Sequence, residues 1–171
     1  MKTAALRGPV LALAAAIWLA GCSAVGPLRF PASQPLGSTE SEVLARLGPP
    51  TARLPLASGA RLQYSGEPAG FEVYNLDLDA SGRLSRVDQP LLRPRIEQDM
   101  VVDKTTAEQI RQLYGAPARV EKVARFEGDV WVYQFLDINE PFYVYLHLDP
   151  EGVLRRLVFM QVRNPSAGRR H

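Results

Sequence analysis

The chain repeats one phrase, TESEVLARLGPP at residues 39–50 and TAEQIRQLYGAP at residues 106–117. With Gly48 aligned on Gly115, Thr39 falls on Thr106, Glu42 on Gln109, Val43 on Ile110, Leu47 on Tyr114 and Pro50 on Pro117. Each copy opens on a capping box, in which the threonine oxygen accepts an orphan first-turn amide and the Glu or Gln three places on reaches back. Val43 with Leu47, and Ile110 with Leu113 and Tyr114, keep helical spacing. Gly48 and Gly115 suit the left-handed residue that closes a helix, and a proline two places later forbids its resumption. Each phrase predicts a helix of about two turns, too short to be stable unless it packs on something.

Strands follow each helix. RLQY (61–64) and FEVYNLDL (71–78) alternate in the first half, and VWVYQF (130–135), FYVYLHL (142–148) and VLRRLVFMQV (153–162) in the second. Such alternation predicts antiparallel strands with one face on a core. The turns correspond as well, Asp79-Ala80-Ser81-Gly82 matching Asp149-Pro150-Glu151-Gly152. The fold class is therefore α+β, with two tandem units, each a short N-terminal helix followed by about three antiparallel strands. Unit 1 is expected over 37–88 and unit 2 over 102–162, joined by a connector over 89–101. Two such units could share a core or extend one sheet.

The N-terminus reads as an export signal. Lys2 and Arg7 precede the apolar run VLALAAAIWLA, which closes on Leu19-Ala20-Gly21-Cys22. That run is too short to span a bilayer, which needs about 20 apolar residues, and it fits a secretory signal peptide over 1–21. Leu-Ala-Gly-Cys resembles the lipobox of bacterial lipoproteins, which implies a lipid on Cys22. Cys22 is the only cysteine, so it has no intrachain disulfide partner. Ser23 in place of aspartate, by resemblance to sorted lipoproteins, implies the outer membrane with the protein facing the periplasm. Residues 22–36, with Pro27, Pro31 and Pro35, read as the lipidated Cys and a flexible tether, and 163–171 as a disordered tail. Losing Lys2 and Arg7 reduces the 20 basic residues to 18, equal to the 18 acidic ones. This balance, with no basic stripe, argues against nucleic acid as a partner.

The order Thr-x-x-Glu/Gln-Val/Ile, Leu/Tyr-Gly-x-Pro, an aromatic strand (Trp131-x-Tyr133) and Asp-x-x-Gly resembles the SmpA/OmlA (BamE-like) family of outer-membrane lipoproteins. The tandem layout is similar to that of the β-lactamase inhibitory protein. The family pattern has one unit and this chain two. The resemblance implies a non-catalytic scaffold or interaction module, with an envelope protein as partner, in outer-membrane protein assembly or envelope maintenance. An inhibitor-like binder of a periplasmic enzyme and a small-ligand-binding lipoprotein are the alternatives.

No catalytic residue and no metal ligand is expected. His147 and His171 lie far apart, and no nucleophile motif or phosphate loop is present. Asp77-x-Asp79-x-Ser81-Gly82, with Asp88 at the twelfth place, resembles a calcium loop, but alternating strand flanks it and a plain hairpin turn is the better reading. No cofactor is expected beyond the covalent lipid. The candidate partner-binding residues come from comparing the copies. If Tyr74, Leu76 and Leu78 align with Val144, Leu146 and Leu148 on the core side, the opposite face carries Val73, Asn75 and Asp77 in unit 1. In unit 2 it carries Tyr143, Tyr145 and His147. Tyrosine suits interfaces because it joins a large apolar ring to a polar tip.

Overall fold

The computed structural model describes residues 30–66 and 69–162. The stretch read as a signal peptide, Cys22 and the stretch read as a tail lie outside them. Among the described residues no helix is long and apolar enough to cross a membrane. The described residues form two antiparallel four-stranded meanders, β1-β2-β3-β4 and β5-β6-β7-β8, with three α-helices in the order α1 before β1, and α2 then α3 before β5. The first unit comprises α1 (Glu40–Leu47), β1 (Ala52–Leu56), β2 (Gly59–Ser65), β3 (Val73–Leu78) and β4 (Leu84–Asp88). The second comprises α3 (Ala107–Tyr114), β5 (Arg119–Glu121), β6 (Asp129–Asp137), β7 (Glu140–Leu148) and β8 (Leu154–Gln161).

Both capping boxes are closed. Thr39 Oγ1 accepts from the Glu42 amide at 3.3 Å while Glu42 accepts from the Thr39 amide at 2.8 Å. Thr106 and Gln109 repeat the pair at 3.3 and 2.9 Å. Each helix stops on a glycine with positive φ, 80° at Gly48 and 76° at Gly115, but with ψ of −168° and −152°. That is the extended positive-φ region reserved for glycine, and not the left-handed helical region expected. A tyrosine then seals each stop: Tyr64 donates to the Gly48 carbonyl at 3.0 Å and Tyr133 to the Gly115 carbonyl at 2.9 Å.

Three expectations need correction. Each sheet has four strands, because short first strands precede those read from alternation. β1 holds a proline at Pro55 and β5 has only three residues, so neither shows a strand pattern. The connector is partly helical, α2 spanning Arg93–Asp99, with Pro94 in its first turn and no side-chain cap. The stretch read as tether overlaps the described structure at residues 30–36, where Pro31–Ser33 form a 3-10 turn and Gln34 is buried.

The units stack face to back and do not extend one sheet. Val43 of α1 packs with Leu62, Leu76, Leu78 and Leu84 on the inner face of sheet 1. Ile110 and Tyr114 of α3 and Ile96 of α2 pack on the inner face of sheet 2, against Trp131, Tyr133, Phe135, Val144 and Leu146. Val73, from the other face of sheet 1, joins this second cluster. The face of sheet 1 that carries Val73, Asn75 and Asp77 is thus covered by the second unit.

Its polar residues have a definite job. The last carbonyls of a helix lack intrahelical donors, and sheet 1 supplies them to α3. Asn75 Nδ2 donates to the Leu113 carbonyl at 2.9 Å, Gln63 Nε2 lies 3.3 Å from both the Gln112 and Leu113 carbonyls, and Arg61 donates to Gln112 at 3.1 Å. Gln63 also donates to Asn75 at 2.9 Å, and Asp77 holds the Arg61 guanidinium at 2.6 and 3.0 Å. Gln63 and Asn75 are both fully buried. On the far side, Arg93 pairs with Asp137 and lies 4.7 and 4.2 Å from the ring centres of Phe142 and Phe159, fixing α2 to sheet 2.

Asn75→Ala leaves a buried helix-end carbonyl short of a donor and is expected to cost about 1–3 kcal/mol in denaturant unfolding. Exposed Gln98, changed to alanine as a control, should move stability by less than about 0.5 kcal/mol. A second expectation concerns the β6–β7 turn, where Ile138 and Asn139 both have positive φ (48° and 66°) and Ile138 is 91% exposed. A β-branched residue is strained there, so Ile138→Asn is expected to stabilise by about 0.5–1 kcal/mol.

Candidate functional site

The outer face of sheet 2 is set by register. Arg119 pairs with Val132, Val132 with Tyr145, and Tyr145 with Val158, which makes one row across four strands. Tyr143 lies between Gln134 and Met160 in the next row, and His147 between Val130 and Arg156 in the row on the other side. Val130 and Val132 form a fully buried floor, while Tyr143, Tyr145 and His147 are half-buried. The sequence expectation that these three residues share one face is met.

Two residues that the sequence reading passed over complete the surface. The Arg119 guanidinium lies 4.6 Å from the Tyr143 ring centre and 5.9 Å from that of Tyr145, and donates to the Tyr145 hydroxyl at 3.2 Å. Glu121 holds its other edge at 2.5 Å. This is a cation–π clamp of the kind arginine favours, and it keeps the two rings, 6.2 Å apart, in an edge-to-face pose. Phe126, from the β5–β6 loop, stacks edge-on against His147 at 5.2 Å. Arg119 was hidden because only the register of the three-residue β5 places it beside Tyr145. Phe126 was hidden because a loop carries it.

The same positions differ between the two sheets. Gly59 begins β2 and Gly128 directly precedes β6, each with a backbone carbonyl (Leu78, Leu148) where a Cβ would sit. That equivalence puts Val130, Val132 and Tyr145 where sheet 1 has Arg61, Gln63 and Asn75. Sheet 1 uses donors to receive a helix end; sheet 2 presents valines and tyrosines. Among the described residues, all three helices pack elsewhere, α1 on sheet 1 and α2 and α3 on the inner face of sheet 2.

The calcium-like stretch behaves as a turn. Asp79 Oδ1 accepts from the Ser81 amide and hydroxyl at 2.8 and 2.6 Å and from the Arg83 amide at 3.0 Å. Asp77 faces away, onto Arg61. No group of His, Cys, Asp and Glu able to hold a metal is found among the described residues. A separate cleft of about 450 Å³ lies at the junction of the units, lined by Arg61, Asp99, Lys104, Gln109, Gln112 and Leu113.

The chain matches no protein-family model and no curated protein. Among solved structures it is similar to a DUF4309 family protein (YjgB) from Bacillus subtilis, at 16% identity and a TM-score of 0.31, over 73% of this chain and 79% of that one. A likeness at that level carries no argument about fold or function. The resemblance to the SmpA/OmlA family rests on the motifs alone.

Burial, reinforced by the nearby Arg156 guanidinium, holds the His147 imidazole below the 6.5 of a free side chain. The unfolded chain then binds this proton more readily than the folded one, so the fold loses stability as pH falls below about 6.5. His147→Gln is expected to flatten the decline between about pH 6.5 and 5 in thermal melts. An unchanged slope would show that the decline arises elsewhere.

Proposed function

We propose that the protein is a lipid-anchored lipoprotein of the outer membrane, facing the periplasm, and that it works as a non-catalytic scaffold through the outer face of its second sheet. The anchor rests on the lipobox reading of Cys22, and the setting in outer-membrane protein assembly or envelope maintenance on the motif resemblance. One observation carries the binding role. The two units share a fold, yet the face that unit 1 spends on holding unit 2 is replaced in unit 2 by an aromatic ledge of Tyr143 and Tyr145 steadied by Arg119. Tyrosine and arginine are the residue types that dominate protein interfaces energetically.

A second reading, small-ligand binding, is favoured by the junction cleft, whose Arg61, Lys104, Gln109 and Gln112 would suit a polar molecule. Its volume falls within the range of ligand pockets.

Affinity purification of the full-length protein from detergent-solubilised membranes separates the readings. Recovery of an envelope assembly complex supports the scaffold, recovery of one soluble enzyme supports the inhibitor-like alternative, and no protein partner favours the cleft. If the ledge is the interface, the Tyr143→Ser/Tyr145→Ser double variant should weaken the partner at least tenfold, at about 1–2 kcal/mol per tyrosine. Full partner recovery with the double variant, at unchanged folding, would refute the assignment to this face.

A further inference from the structure

Four strands lie at sheet edges: β1, β4, β5 and β8. An edge turns alternate N–H and C=O groups outward, and soluble proteins blunt such edges with proline, charge or brevity. Three of the four are blunted. β1 carries Pro55, β4 has five residues with Arg86 and Asp88 among them, and β5 has three residues. β8 is the exception. It has eight residues, and from Leu157 to Val162 the sequence LVFMQV contains no charge, proline or glycine. That composition favours strand-on-strand pairing.

Register fixes which groups face outward. The Val162 amide donates to the Pro141 carbonyl at 2.9 Å, continuing the register that pairs Gln161 with Phe142 and Met160 with Tyr143. Bonding alternates along an antiparallel ladder. Val158 and Met160 therefore bond to β7, and Leu157, Phe159 and Gln161 point their N–H and C=O groups away from the sheet. Among the described residues, Asp103 and Thr105 cover only the start of the edge, at Leu154.

We propose that this edge pairs with the same edge of a second copy, antiparallel about a two-fold axis at Phe159, joining two second sheets into one continuous sheet. The segment is self-complementary in that register. Phe159 meets Phe159 of the second copy, and Leu157 meets Gln161 twice, which closes about six main-chain hydrogen bonds. Met160, 52% exposed in the single chain, gains Val158 of the second copy as an apolar neighbour on the outer face. Arg156, the charge next to Leu157, falls opposite the neutral Val162, so no like charges meet within LVFMQV. A closed two-fold pair of this kind consumes the edge on both copies.

The test uses the full-length protein in detergent, diluted to well under one chain per micelle, with mass read by sedimentation. A twofold mass is expected. Gln161→Pro removes an outward N–H without breaking a β7–β8 bond, and Met160→Lys places charge at the contact. Each is expected to weaken the dimer at least tenfold while circular dichroism stays unchanged, and either variant alone suffices should the other misfold. A Val158→Cys/Met160→Cys chain should cross-link on oxidation, since these residues would form non-hydrogen-bonded pairs with Cα atoms about 4.5 Å apart. A monomeric wild type, a dimer that neither substitution weakens, absence of the cross-link, or a strand of a different protein on β8 would each overturn the proposal.

Discussion

The end of one short helix organises this molecule. The carbonyls of Gln112 and Leu113 close α3 without helical partners, and burying them bare would cost about 1–3 kcal/mol each. They are instead received by Arg61, Gln63 and Asn75 on the back of the preceding sheet. Because Gln63 and Asn75 are buried by the same contact, donors and acceptors need one another. Apart, both sets would be satisfied by water; buried together, each is satisfied by the other. The stacking of the units is therefore specified by directional bonds, with Val73 and the packing of α2 adding apolar area around them.

Within each unit a smaller device is used twice. The helix start is tied to the third hairpin, Thr39 bridging to Arg83 and Thr106 to Val153. The helix stop is tied to the second strand through Tyr64 and Tyr133. A helix of eight residues is only marginally stable by itself, and pinning both ends to one meander gives it a fixed place. The bulge in the fourth strand also recurs, with Ser85 of β4 and Arg155 of β8 as the extra residues opposite the Asp77/Leu78 and His147/Leu148 steps, which keeps the two meanders in step despite loops of different length.

What could be read from the sequence was what local chemistry decides. Thr39, Glu42, Thr106 and Gln109 announce the two helices within a four-residue window, and the alternation in 130–135 and 142–148 gives face assignment as well as strand. α2 was harder to see, since Leu92 offers no capping side chain and Pro90 and Pro94 suggest a loop; only Ile96 and Met100, four apart and buried, betray it. The burial of Asn75 could not be read at all, because it depends on how one unit meets the next. At the candidate site, parity alone grouped Tyr143, Tyr145 and His147. Arg119 needed the register of a three-residue strand, which no periodicity can reveal.

The face-to-back joint has a directional character, since the surface that gives differs from the surface that receives. Joints of that type, formed between copies, close into rings where the rotation allows and otherwise grow into fibres. In this chain α1 ends much as α3 does and could play the plug for a neighbour, so growth is blocked only if the last socket refuses it. Val130, Val132 and Tyr145 stand where Arg61, Gln63 and Asn75 would have to be, and offer no amide or guanidinium to a helix end. The same three positions leave the second sheet without the donors that receive a helix end on the first, so a third unit stacked in the same way would bury its helix-end carbonyls without those partners.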